Sequence, residues 1–373
     1  MRSVAELFGV PVSAVQHWVT RARGKRLDRV NWEDRSCAPK RTRRTKASIE
    51  RRVLAVRKRL KQRSALGEYG APAIHRELQQ EGIQPLPAER TIGRILQRHG
   101  VLDGRKRVRR PPPPKGWYLP DVTAGECELD SFDTIEGLAI RGGPHLTILT
   151  GISLHGGLPV VWAERRVTAK FVLDALLEHW GKVGLPSYAQ FDNDNRFTGP
   201  RQHPDAIGRV VRMCLNLQVT PVFAVPNETG FQASIESLNS RWQAKVWCRF
   251  EHRNLHALKQ RSDKYIAASR QRHAPRIEAA PPRQAIPKRW RLNLQAALHG
   301  KIVYLRRTND KGRVPILGHS FLVDPYWVHR LVRAEVNLDE NHIHFYALRR
   351  REPHDQLLLN EVHYKLPNKL FRE

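Results

Sequence analysis

The chain has 373 residues, a hydrophobic fraction of 40% and a formal net charge of +29, from 65 Lys and Arg against 36 Asp and Glu. This apolar content excludes a disordered chain, and the length suits roughly two to four domains. No apolar run approaches a spanning helix, four scattered cysteines exclude a disulfide framework or a paired-Cys zinc site, and the basic excess calls for a polyanionic partner. The charge is unevenly spread, with 29 basic against 10 acidic side chains over 1–120, 12 against 14 over 121–250, and 24 against 12 over 251–373. A near-neutral centre between two basic arms suits a carboxylate-lined site flanked by nucleic-acid-gripping segments. The N-terminus mixes acidic and polar residues into an amphipathic pattern and does not read as a signal peptide.

Residues 1–24 carry the pattern of a helix-turn-helix, short of a preceding helix. Ala5 stands where two helices cross, Gly9 takes the turn, Val10, Val15 and Trp18 supply a shared core, and Ser13 caps the second helix. Its exposed side presents Gln16, His17, Thr20 and Arg21 as DNA contacts. Residues 25–47 read as a basic linker. Over 48–102 the period is helical again: Ile49, Val53, Val56 and Leu60, then Ile74 and Leu78, then Ile92, Ile95 and Leu96. This is a second helix-turn-helix candidate, with Arg90, Arg94 and Arg98 outward on its last helix. Residues 103–120 combine an Arg cluster with four consecutive prolines, the composition of a stiff linker.

From 121 to about 250 strand and helix signals alternate. Strands are expected at 126–136, 145–154 and 158–165, an amphipathic helix at 168–182, a strand ending at Asp192, a helix near 206–216, and a strand at 220–225. A last helix spans Phe231 to Phe250, with Ile235, Leu238, Trp242 and Val246 at helical spacing and Glu236 beside that stripe. Three strands followed by alternating helices and strands is the order of an α/β ribonuclease H-like fold. Beyond 290, short alternating segments at 301–307, 313–317, 319–323, 331–337 and 342–348 suggest a small SH3-like β-barrel over 291–352, with Arg306 and Arg307 as DNA contacts and a poorly patterned tail at 353–373.

Three motifs carry a resemblance. They are Glu128-Leu-Asp130 running into Thr134-Ile-Glu-Gly137, Phe191-Asp192-Asn193 with Phe197 beyond it, and Glu236-Ser-Leu-Asn239-Ser-Arg-Trp-Gln243. Together with Tyr265–His273 and Ala280-Pro-Pro282, they make residues 126–287 similar to the retroviral-integrase-like superfamily of Asp-Asp-Glu transposases and integrases, bacterial insertion-sequence transposases in particular. The resemblance implies a ribonuclease H-like catalytic core over 121–290 that cleaves and joins DNA for a mobile element. It also implies two Mg²⁺ or Mn²⁺ ions held by Asp130, Asp192 and Glu236, and helix-turn-helix companions. Hard cations take oxygen ligands, and a metal pair activates the attacking oxygen and stabilises the leaving one. Expected partners are double-stranded DNA, both element ends and target, and further copies of this chain, in a bacterial cytoplasm at the nucleoid. An ATPase helper is not legible. Asn239, Arg241, Gln243 and Lys245 follow the glutamate on its helix as DNA contacts.

Asp194 stands where the family has Gly, and 44 residues separate Asp192 from Glu236, a longer spacing than usual. Asp133 is an odd number of residues from Asp130, so a strand turns it to the opposite face and it reads as a surface acid. Two further readings stay open: a catalytically inactive DNA-binding regulator, and a ribonuclease H-like nuclease that hydrolyses without joining.

Overall fold

The computed structural model describes residues 1–33, 45–102, 114–200, 203–228, 230–350, 352–367 and 370–372. Cys37, most of the Arg/Pro-rich run and the start of the expected insertion at Arg201 lie outside the described residues. The chain divides into two compact units, Met1–Arg52 and Val53–Glu373.

In the first unit, α1 (Arg2–Phe8) ends where Gly9 turns left-handed at φ 61°, a conformation that glycine adopts freely. The second helix, α2 (Val12–Ala22), follows Pro11, and no side chain caps its first turn, so the expected Ser13 cap is not formed. Ala5 is buried, but Val10 is exposed and Val15 and Trp18 are half-buried. Trp18 meets Trp32 at 5.6 Å between ring centroids, and the Arg21 guanidinium lies 4.9 Å over its ring. The aromatic pair does part of the work expected of a shared helix–helix core.

The second unit begins within α3 (Ala47–Arg63). Its Val53, Val56 and Leu60 are buried, as are Ile74 and Leu78 of α4 (Ala71–Gln80) and Ile92, Ile95 and Leu96 of α5 (Glu89–Arg98). Arg59 bridges Glu77 and Glu81 at 2.8 and 2.6 Å, tying α3 to α4. The end of the expected linker is not free chain. Trp117, Tyr118 and Leu119 are buried before the short α6 (Pro120–Ala124), and the Tyr118 hydroxyl donates to Gln190 Oε1 at 2.8 Å.

The core sheet follows in the expected order. β1 (Leu129–Ala139) pairs antiparallel with β2 (His145–Ser153), and β2 pairs antiparallel with β3 (Pro159–Glu164). Helix α7 (Ala169–Val183), capped by Thr168, whose Oγ1 accepts from the Phe171 amide at 3.2 Å, leads to β4 (Tyr188–Phe191), parallel to β1. After α8 (Asn195–Thr198) and α9 (Arg209–Asn216) comes β5 (Thr220–Phe223), parallel to β4. Then α10 (Ala233–Trp242) runs into a π-helical turn at Gln243–Trp247, and α11 (Leu255–Glu278) follows. The strand order β3-β2-β1-β4-β5, with three antiparallel strands first, is the expected ribonuclease H-like arrangement. One face packs Phe132, Trp180, Phe191, Phe197 and Phe223 towards α7 and α9; the other packs Ile148, Trp242, Val246 and Leu258 under α10 and α11. Gly151 is required by this packing, because a Cβ there would lie 2.6 Å from the Phe132 ring.

The expected barrel is corrected. Its strands form, as β6 (Lys301–Arg307), β7 (Arg313–Ile316), β8 (His319–Leu322), β9 (Leu331–Asn337) and β10 (His342–Ala347), with β11 (Leu358–His363) in the tail. They do not close on one another. β6 pairs parallel with β5, Val222 opposite Val303 and Phe223 opposite Tyr304, and the core sheet continues as β11-β10-β9-β6-β5, while β7 and β8 form a separate hairpin. The physical reason is the edge of β5, whose unpaired backbone groups β6 satisfies. Among the described residues, no helix is long and apolar enough to cross a membrane.

Candidate active site

Asp133 on β1 lies within the electrostatic reach of Asp192, the residue that follows β4. The β1–β4 register runs from Leu129 opposite Tyr188 to Ser131 opposite Gln190, and continued by two residues it would bring Phe132 level with Phe191 and Asp133 level with Asp192, the first residue beyond β4. The two phenyl rings stack at 5.8 Å on the α7 face of the sheet. Alternation then turns both acids to the other face, towards α10. The Asp133 carboxylate accepts from the Thr134 amide at 2.7 Å and from Asn239 Nδ2 at 2.8 Å. Asn239 is itself buried, and its oxygen accepts from Thr150 Oγ1 at 2.8 Å, which fixes which way its amide points.

Glu236 lies in the first turn of α10, one turn before Asn239, and its side chain is exposed. Burial pushes the Asp133 carboxyl up to about 6, and the negative charges of Asp192 and Glu236 add to the rise, against the hydrogen bonds from Thr134 and Asn239. Three acids thus share one electrostatic neighbourhood: Asp133, Asp192 and Glu236.

Asp130 is not among them, which corrects the sequence expectation. It is buried on the α7 face, where Arg283 grips both its oxygens at 2.5 and 3.0 Å and Trp180 Nε1 donates at 3.0 Å. Strand parity does separate Asp130 from Asp133, as expected; the face that carries Glu236 is the one Asp133 occupies. The signal was present in the sequence as a repeated dipeptide, Phe132-Asp133 and Phe191-Asp192, an apolar residue for the core followed by an acid for the opposite face.

Asp194 has a different task. Its Oδ1 accepts from the Arg196 amide at 2.7 Å, capping α8, and its other oxygen pairs with the Arg196 guanidinium at 2.7 Å. Arg196 also meets Glu136 at 2.6 Å and Thr134 Oγ1 at 3.3 Å, forming a charged rim beside the acids.

Other expected contacts are partly redistributed. Gln16, His17, Thr20, Arg90, Arg94, Arg98 and Arg241 are exposed, while Gln243 is half-buried. Arg21 donates to the Glu33 carbonyl at 2.5 Å as it packs on Trp18. Asn239 is turned inward to Asp133 and is not a surface group. Lys245 donates to the Gly67 carbonyl at 3.1 Å and lines a cleft of about 770 Å³ with Arg57, Lys61, Tyr69 and Arg272. Arg307 pairs with Glu228. Arg306 is buried, because its guanidinium is consumed by interior acceptors, among them Asn193 Oδ1 at 2.9 Å.

The oxygen donors of Asp133, Asp192 and Glu236 suit a hard divalent cation, and the repulsion that raises Asp133 is what such an ion would relieve. Among the described residues, no three His, Cys, Asp or Glu side chains are drawn together tightly enough to hold a metal as they stand.

No protein-family model matches the chain, and no curated protein sequence matches it. Similar solved structures are retroviral. The BIV integrase catalytic core domain is 15% identical, covering 38% of this chain and 81% of that one at a TM-score of 0.29. The simian T-cell lymphotropic virus intasome, solved with the PP2A regulatory subunit B56 gamma, is 14% identical over 71% of this chain and 84% of that one, at 0.34. The HTLV-2 integrase catalytic core domain in complex with magnesium is 12% identical over 37% and 81%, at 0.29. At such scores the fold reading rests on the strand order and register described above.

Proposed function

We propose that the chain is a polynucleotidyl transferase of the transposase and integrase type, which cuts and joins double-stranded DNA with Asp133, Asp192 and Glu236 as its acidic triad. The observation that carries this is that Asp133, on the α10 face, feels the negative charges of Asp192 and Glu236, which add to burial in raising its carboxyl to about 6. Asp133, Asp192 and Glu236 would hold two Mg²⁺ or Mn²⁺ ions; bound there, the metals supply charge neutralisation and an activated oxygen nucleophile. The chain's own residues place the acids. Asn239 and Thr150 orient Asp133, and the Asp194 amide donates to Asp192 Oδ1 at 3.0 Å.

DNA would be held by sequence-independent phosphate contacts from the exposed Arg90, Arg94 and Arg98 row and the basic cleft beside Lys245, with Gln16, His17 and Thr20 near base edges. Joining two DNA ends calls for more than one copy of the chain.

The test is strand transfer with labelled oligonucleotides copied from the DNA that flanks the gene, in Mg²⁺ and in Mn²⁺. Joined products that vanish in Asp133→Asn, Asp192→Asn and Glu236→Gln support the reading. Products cut but never joined would select a nuclease. DNA bound but neither nicked nor joined would select the regulator.

A further inference from the structure

Arg306 was expected on a DNA-facing strand, yet it is 8% exposed. Its guanidinium donates to Asn193 Oδ1 at 2.9 Å and to the backbone carbonyls of Ala224 at 3.2 Å, Leu305 at 2.8 Å and Pro315 at 3.2 Å. It also stacks over the Tyr304 ring, 4.9 Å from the centroid. Asn193, the residue after Asp192, closes the arrangement by donating through Nδ2 to the same Ala224 carbonyl at 2.7 Å. Ala224 follows β5, and its amide in turn donates to Phe191 at 3.0 Å.

One planar fork on β6 therefore ties together the ends of β4 and β5 at the point where Asp192 leaves the sheet. A lysine has a single nitrogen and no fork, so it cannot serve Asn193, Ala224 and Pro315 together.

We propose that Arg306 is a positioning residue: through Asn193 it fixes the turn that carries Asp192 and so sets the aim of that carboxylate at the acidic cluster. The proposal rests on the triad reading above, in that Asp192 is taken as a working ligand. The bond network itself is independent of it. Among the acids, Asp192 has most need of such a brace. Asp133 sits within a strand and Glu236 on a helix, whereas Asp192 begins a turn, where the Asp194 amide donates to its Oδ1 at 3.0 Å.

The experiment uses the full chain with Arg306→Lys, Asn193→Ala and the double variant. Two quantities are read without catalysis: hydrogen exchange of the amides over 192–198, and Mn²⁺ affinity measured by calorimetry on the protein alone. The expected result is faster exchange confined to that turn and a loss of about tenfold in Mn²⁺ affinity, the scale typical of groups that orient metal ligands. The double variant should be no worse than the more damaging single one, because both changes break one connection. DNA affinity and its salt dependence should match the wild type.

Three results would overturn the proposal: exchange over 192–198 as slow as in wild type, a weaker salt dependence of DNA binding that marks Arg306 as a phosphate contact, or strictly additive effects. If Arg306→Lys lowers stability throughout and blurs the exchange map, Asn193→Ala, at a half-buried position, still decides it. A wild type that binds no Mn²⁺ and joins no DNA sinks the functional reading instead, while local exchange still reports whether the brace exists.

Discussion

Two aspartates three positions apart on one strand have opposite fates, and substitution separates them. Asp130→Asn leaves the Arg283 guanidinium with an incomplete partner beside a buried position, so it should cost about 3 kcal/mol in a denaturant melt and, on the proposed function, leave the folded fraction able to cleave DNA. Asp133→Asn should do the reverse, keeping the fold and abolishing cleavage. Its linkage to pH has an unusual sign. The carboxyl titrates near 6 when folded and near ~4 when unfolded, so the folded state binds the proton more tightly. Ionised Asp133 therefore destabilises the fold above pH 6, and the cost disappears as the pH falls towards 4. Relative to wild type, Asp133→Asn should gain about 2 kcal/mol between pH 4.5 and pH 7.5, measured by urea unfolding at each pH. Glu236→Gln should shift the Asp133 titration downward, since it deletes one of the charges that raise it; carboxyl-carbon NMR reads this directly. On the proposed function, Mn²⁺ affinity measured on the protein alone should weaken as pH drops through about 6, where the metal-free Asp133 carboxyl takes up a proton with which the ion must compete. Asp192 and Glu236 stand out in the sequence because each follows a clear signal, a strand end and an apolar helical stripe. Asp130 was preferred to Asp133 because parity tells which residues share a face but not which face Glu236 will cover.

Among the elements, the helices and strands of the core were readable nearly to their ends, since each has its own period and breakers. What periodicity does not carry is the identity of a strand's neighbour. The stretch from Ile302 to Leu305 is buried on both sides, the mark of a central strand, yet a small barrel and a sheet extension both contain such a strand. The pairing with β5 decides the matter and makes a prediction. A fragment ending at residue 290 would leave the β5 edge bare, with Val222 and Phe223 beside it. It should precipitate or show poorly dispersed amide resonances, whereas the fragment from 114 to 373 should give a cooperative melt. A folded, soluble fragment ending at 290 would show instead that β6 is dispensable. The buried arginine on β6 was read as a phosphate contact for the same reason: composition records that a strand is basic, not which of its faces meets water.

For the whole molecule, the uneven charge of the sequence predicts binding that is strong, weakly selective and sensitive to salt. Each phosphate neutralised adds roughly 0.9 to the slope of log affinity against log salt on duplex DNA. Replacing Arg90, Arg94 and Arg98 together by Ala should flatten that slope by about 2 to 3 and weaken all duplexes alike, which filter binding over a salt series would register. A loss confined to one sequence would mean that α5 reads bases. The same sheet that holds Asp133 and Asp192 also contains a strand from the last quarter of the chain, and this has a consequence for synthesis. A ribosome delivers the acidic residues long before it delivers Lys301–Arg307, so until then the nascent protein has an open β5 edge and an unbraced Asp192 turn. A prematurely terminated product would carry all three acids and still lack the strand that completes their sheet.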